Sequence, residues 1–176
     1  MGGELPPDKA SRFPNLQRCN YHVTSDETDE YNCIAHAAGR CDMPWWPIQA
    51  TGVYWPDGIA MKETLECFVD AYETQGYFVC PDGSHELWYE KIAIYVDSKG
   101  TPAHAARQLE HGRWTSKLGD WEDIEHETLS ALESSDYGTV AKYMKRPIKG
   151  RKKLRALRRL LVSCFRGLWS FRFSRK

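Results

Sequence analysis

Apolar positions along the chain form short clusters separated by glycine, proline and acidic residues, and their spacing predicts three helices and five short strands ahead of a distinct C-terminal segment. Residues 24–30 are almost wholly acidic or hydroxylated, and the apolar run 31–39 follows them. With Asp26 or Asp29 as N-cap, alanines at 35, 37 and 38, and Gly39 as stop, residues 30–39 read as a helix with Cys33 in its first turn. A second helix spans 61–75, where Leu65, Phe68, Val69 and Tyr72 make the buried stripe and Gly76 ends it. Residues 77–79, 91–97, 103–109, 113–118 and 138–143 read as strands, and Glu110-His111-Gly112 reads as a tight hairpin loop. Residues 121–133, with an acidic first turn, read as a third helix.

Between the first two helices, residues 41–58 hold two Trp-Pro steps and read as an ordered loop. The first 14 residues are polar and proline-punctuated, which predicts a loose N-terminus. The organisation expected is therefore a flexible 1–14, a domain over 15–147 and a tail over 148–176.

Composition adds one point and removes two classes. The 24 Lys and Arg balance 24 acids, yet residues 1–141 hold ten cations and all 24 acids, a net of −14, while the last 35 residues hold 14 cations and no acid. An acidic body with a cationic appendage is either self-complementary or aimed at an anionic partner. In the tail, Leu154, Leu157, Leu161, Cys164, Phe165, Leu168 and Trp169 recur at three- and four-residue spacing among arginines. That pattern predicts a cationic amphipathic helix, either packed by its apolar stripe on the acidic body or set against a membrane surface or a partner groove, ahead of nucleic acid. No apolar run approaches the roughly 18 residues of a spanning helix, and the N-terminus has neither a leader pattern nor a myristoylation pattern. A cytoplasmic protein, peripheral at the membrane through its tail, is expected.

Six cysteines in a reducing compartment suggest buried hydrophobes, metal ligands or one nucleophile. Cys33 is the nucleophile candidate: free N–H groups and the dipole at a helix start favour the thiolate, and the same N–H groups can hold an oxyanion. Its base would be His104, at the start of a strand. If Glu110 pairs with Arg113 across a two-residue turn, His104 faces Gly119 and Asp120 follows, with Asp123 the alternative third group. Trp45, Trp46, Tyr54 and Trp55 could wall a groove beside Cys33 or form core, and Lys117 could enter the site. Cys19-x2-His22 and Cys33-x2-His36, with Cys41 close by, also have zinc-ligand spacing. His36, on nearly the same helical face as Cys33, could be a local base or a packed residue.

A helix-borne Cys33, then His104 opening a strand, then a polar residue beyond the next strand resembles the order of the papain-like superfamily. In size it is nearest the NlpC/P60-type and CHAP-type amidases and peptidases. Asn32-Cys33-Ile34-Ala35-His36-Ala37-Ala38-Gly39, His104-Ala105-Ala106-Arg107-Gln108 and Ser116-Lys117-Leu118-Gly119 are similar to an uncharacterised bacterial family, a likeness covering about residues 13–147. The resemblance implies an α+β fold, a Cys-bearing helix packed on a small antiparallel sheet. It also implies thiol hydrolase or acyl-transferase chemistry by Cys33, His104 and Asp120 on an amide or ester bond, with no cofactor. Ile34-Ala35 stands where the better-known branches have Ser-Gly or Trp, and Gln17 and Asn20 are the only oxyanion candidates before Cys33. The competing expectations are a non-catalytic interaction module of the same fold, using the aromatic loop and the cationic tail, and a zinc-stabilised binding domain.

Overall fold

A computed structural model describes residues 3–148. Seven strands form one antiparallel sheet: β1 (Tyr21–Val23), β2 (Phe78–Cys80), β3 (Tyr89–Val96), β4 (Pro102–Gln108), β5 (Trp114–Lys117), β6 (Asp123–His126) and β7 (Thr139–Pro147). Their spatial order is β1-β6-β5-β4-β3-β7-β2, so β1 and β2 are the edges. Central β3 is rich in β-branched and aromatic residues and buried on both faces, as a strand between two packed layers must be. Its side chains alternate: Ile92 and Ile94 enter one core, Ala93 and Tyr95 the other.

The first core is covered by helices α2 (Cys33–Ala38) and α3 (Leu65–Glu73) and by the aromatic loop. Thr64 caps α3, its hydroxyl accepting from Cys67 N, and Phe68, Ala71 and Tyr72 point inward. Trp45 and Trp55 are core residues there, and Trp46 and Trp55 pack edge-on against Phe68. The substrate groove expected of these tryptophans is instead the packing under α3. Burying such rings on the sheet removes far more apolar area from water than a groove wall would.

The second core lies on the opposite face, under α1 (Pro7–Ala10) and the 3₁₀ turns at 16–18 and 129–132. Leu5, Ala10, Phe13 and Leu16 are buried there, so the N-terminus expected to be loose is a structural layer of the domain. It is tied down by Lys9, which pairs with Glu122 at 2.9 Å and Glu27 at 2.7 Å, and by the backbone bond Val23 N to Gly3 O.

Two further expectations are corrected. Residues 121–133 form β6 and a 3₁₀ turn, not a helix, because Asp123, Ile124, Glu125 and His126 alternate between the two faces. The β4–β5 hairpin has a three-residue loop: Leu109 N donates to Arg113 O at 2.8 Å, with Gly112 at a φ of +94°. Arg107 therefore pairs with Thr115, one residue out of the expected register, and every side chain assigned to one face of the expected hairpin changes partners. The predicted C-terminal amphipathic helix lies outside the described residues.

Candidate functional site

Helix α2 starts where Asn32 dictates. The Asn32 side-chain oxygen accepts from Ala35 N and from Trp45 N, each at 3.1 Å, and its nitrogen donates to Trp45 O at 2.8 Å. Asn32, rather than Asp26 or Asp29, is thus the N-cap, and Gly39 closes the helix at a φ of +80°. Cys33 occupies the first turn and its sulfur faces the N–H groups of Ala105, Cys33 and Ile34, with the Lys117 charge nearby. All four favour the thiolate, but Cys33 is only 7% exposed and desolvation prevails, pushing the thiol up to about 11. The lowered thiol expected from the helix start is overturned: Cys33 is protonated at neutral pH.

His104 lies on the other side of the sheet. Its neighbour Ala105 shares the first core with Cys33, whereas His104 sits edge-on to Tyr95 at 5.2 Å and stacked on Tyr137 at 4.0 Å. Tyr95 belongs to the second core and is its register partner on β3. Across β4–β5 the His104 ring meets Ser116, and Asp120 is exposed in the turn after β5, beside Arg12, Trp121 and Tyr137. Cys33, His104 and Asp120 do not converge.

His104 instead belongs to a buried relay. The His126 Nδ1 is 2.8 Å from the Thr128 carbonyl, which can only accept, so Nδ1 bears the proton and Nε2 accepts from the Ser116 hydroxyl at 3.0 Å. Ser116 Oγ then accepts from His104 Nε2–H at 3.1 Å. His104 Nδ1 is left buried without a partner among the described residues. Both imidazoles are neutral: burial lowers His104 well below its ordinary value and takes His126 down to about 4.

A second polar array holds α2 to the sheet. His36 Nε2 is 3.1 Å from Thr115 Oγ1, and His36 Nδ1 is 3.5 Å from Asp123 Oδ2, which accepts from the Tyr31 hydroxyl at 2.8 Å. Arg107 Nε donates to His36 O at 3.3 Å. Lys117 faces Asp123 across β5–β6, donates to Trp121 O and stands 5.5 Å over the Tyr31 ring. Burial and the charges of Arg107 and Lys117 push His36 down to about 3, against the pull of the Asp123 carboxylate 3.5 Å away. Burial raises Asp123 and lowers Lys117 from their ordinary values. Thr115, His36 and Asp123 stand in the order of a hydroxyl–imidazole–carboxylate triad, but all three are buried between helix and sheet.

Of the residues singled out in the sequence, the structure gathers Cys33, His36, Lys117 and Asp123 on one face, with Lys117 buried rather than solvated at a hairpin end. The spacing of His36 from Cys33 signalled its share in this face; nothing in the sequence pointed to Thr115 or to the His104–Ser116–His126 relay. The five described cysteines are all free, and no group of three His, Cys, Asp or Glu among the described residues could hold a metal ion, so the zinc reading finds no ligand set.

The family model for a domain of unknown function, DUF7689, matches residues 22–145, so the chain belongs to that family. No match was found among curated proteins or among solved structures.

Proposed function

We propose that the chain is a non-catalytic interaction module whose cationic segment, residues 149–176, brings an acidic body to an anionic membrane surface. One observation carries the non-catalytic part: Cys33 and His104 face opposite sides of the sheet, and burial keeps the sulfur protonated. A thiol without a base in reach is a weak nucleophile. The choice of partner rests on the eleven Lys and Arg and the apolar spacing of residues 149–176. A Cys-bearing helix on an antiparallel sheet supports, in outline, kinship with the papain-like arrangement. Sedimentation of the full chain with phosphatidylserine-containing and pure phosphatidylcholine vesicles tests the proposal. Binding to the anionic vesicles that is unchanged by Cys33→Ala supports it; equal neglect of both vesicle types refutes it.

A second reading, a thiol hydrolase, is favoured by the three N–H groups aimed at Cys33 and by Lys117, whose lowered pKa is what a base in place of His104 would need. It requires Cys33 to be alkylated faster than a free thiol and to lose that advantage in Lys117→Met.

A further inference from the structure

The sheet ends in an uncovered apolar edge. Phe78 and Val79 of edge strand β2 are 43% and 48% exposed, and Leu87, just before β3, is 52% exposed. Phe78 contacts the Tyr89 ring at 6.2 Å, and Lys145 lies over both rings. The two β2 residues point to opposite faces: Val79 pairs with Met144 of the first core, the side that carries α3, and Phe78 pairs with Lys145 on the other side. An edge strand with an exposed apolar side chain on the α3 side is a surface that soluble proteins normally cover or charge.

The chain leaves the described structure beside this edge. Lys145 pairs with Phe78, Pro147 pairs with Tyr89, and Ile148 N donates to Trp88 O at 2.8 Å. Ile148, the last described residue, therefore lies against Trp88, the neighbour of Leu87 in the chain. Helix α3, which contacts β2, ends at the same place, because Arg146 Nη1 donates to Gln75 O at 3.3 Å, just past the helix.

The outer face of α3 supplies complementary charge. Glu66, Asp70 and Glu73 follow one another at four- and three-residue spacing, all exposed, and none pairs with a cation among the described residues. Like charges at such spacing destabilise a helix, and Glu73 stands in a last turn that has no basic residue, against the helix dipole. Residues 1–148 hold 13 Lys and Arg and 24 acids, a net of −11; residues 149–176 hold eleven Lys and Arg and no acid. Nine helical residues span roughly 13 Å, a length that a 28-residue segment starting at the helix end covers easily.

We infer that residues 149–176 dock on their own body, their apolar positions covering Val79 and Leu87 and their cations meeting Glu66, Asp70 and Glu73. The inference rests on the membrane reading above and adds its regulation: the same segment is either on the β2–α3 surface or on the membrane. An anionic surface competes with an intramolecular partner, so the apparent affinity is lowered by the fraction of chains that are closed.

Two measurements on the full chain test this. Carbodiimide cross-linking at low protein concentration, read by peptide mass spectrometry, is expected to join lysines of 149–176 to Glu66, Asp70 or Glu73 within monomers. Links found only in dimers, or none to these acids, overturn the inference, the first assigning the surface to a second copy. In the vesicle assay, Glu66→Gln/Asp70→Asn/Glu73→Gln, and separately Val79→Ser/Leu87→Ser, are expected to bind phosphatidylserine vesicles about tenfold more tightly than the parent chain. Parent and variants binding alike overturns the inference while leaving the membrane reading intact. No vesicle binding by any chain, together with intrachain links, overturns the membrane reading and leaves the docking surface intact.

Discussion

Acid should unfold this domain through its histidines. His36, His104 and His126 are buried and neutral, pushed to about 3, well below the ordinary value and to about 4 respectively. In the unfolded chain each binds a proton below about pH 6.5, while the folded protein does not, so stability is fully present above that pH and falls as pH drops. Each histidine then contributes about 1.4 kcal/mol per pH unit, and the three together about 4 kcal/mol per unit between pH 6 and the folded values. The loss begins near pH 6.5 and grows as pH falls, and two or three such protons are enough to consume much of the stability of an ordinary domain. The paired carboxylates held below their usual range, such as Asp82 and Glu86, add to the loss only below about pH 4.5. Urea unfolding from pH 7 to pH 5 therefore isolates the histidines. His104→Phe retains a ring against Tyr137 and should reduce the slope by one proton, about 1.4 kcal/mol per pH unit. A parent slope below that of one proton, or a slope unaltered in His104→Phe, would refute the burial and neutrality argued for the relay.

Three more outcomes follow from the geometry. Gly138 has a φ of +70°, and a Cβ there would lie 1.8 Å from Val96 O, so Gly138→Ala should cost about 3 kcal/mol or more, read as a lowered urea midpoint. Asn32→Ala removes three hydrogen bonds at the α2 cap and should cost about 2–3 kcal/mol in the same assay, with α2 amides exchanging faster. Lys117→Ala removes a buried cation that faces Asp123 and donates to Trp121 O, and should cost about 1–3 kcal/mol, whereas Lys117→Met with Asp123→Leu should recover most of it; a double variant no better than the single would show that the pair is not coupled.

What the sequence disclosed depended on how local the cause was. The helices at 30–39 and 61–75 were legible because their stripes and their terminal glycines lie within a few residues, although each is shorter than expected. The strands at 91–97 and 103–109 announced themselves by composition. The hairpin register did not, since Gly112 suits a two-residue or a three-residue loop and only the bond from Leu109 N to Arg113 O decides. That single residue of register set the wrong partners around His104. Residues 123–126 are too few for alternation to outweigh an acidic, helix-like start. The state of Cys33 was hidden for another reason: the helix start favours the thiolate locally, but desolvation comes from the sheet and from Tyr72, far along the chain. Thr115 and Ser116 lie side by side and bond to histidines on opposite faces, an arrangement fixed only once the strand direction is known.

The central claim is that Cys33 is a protonated, enclosed thiol with no imidazole base. Alkylation kinetics of each cysteine between pH 6 and pH 9, resolved by peptide mass spectrometry, test it most directly. A thiol pushed up to about 11 should react at least roughly 100-fold more slowly at pH 7 than glutathione, indifferent to His104→Ala, with exposed Cys41 labelled ahead of Cys33. Rapid labelling of Cys33 near pH 6 that disappears in His104→Ala would contradict the account.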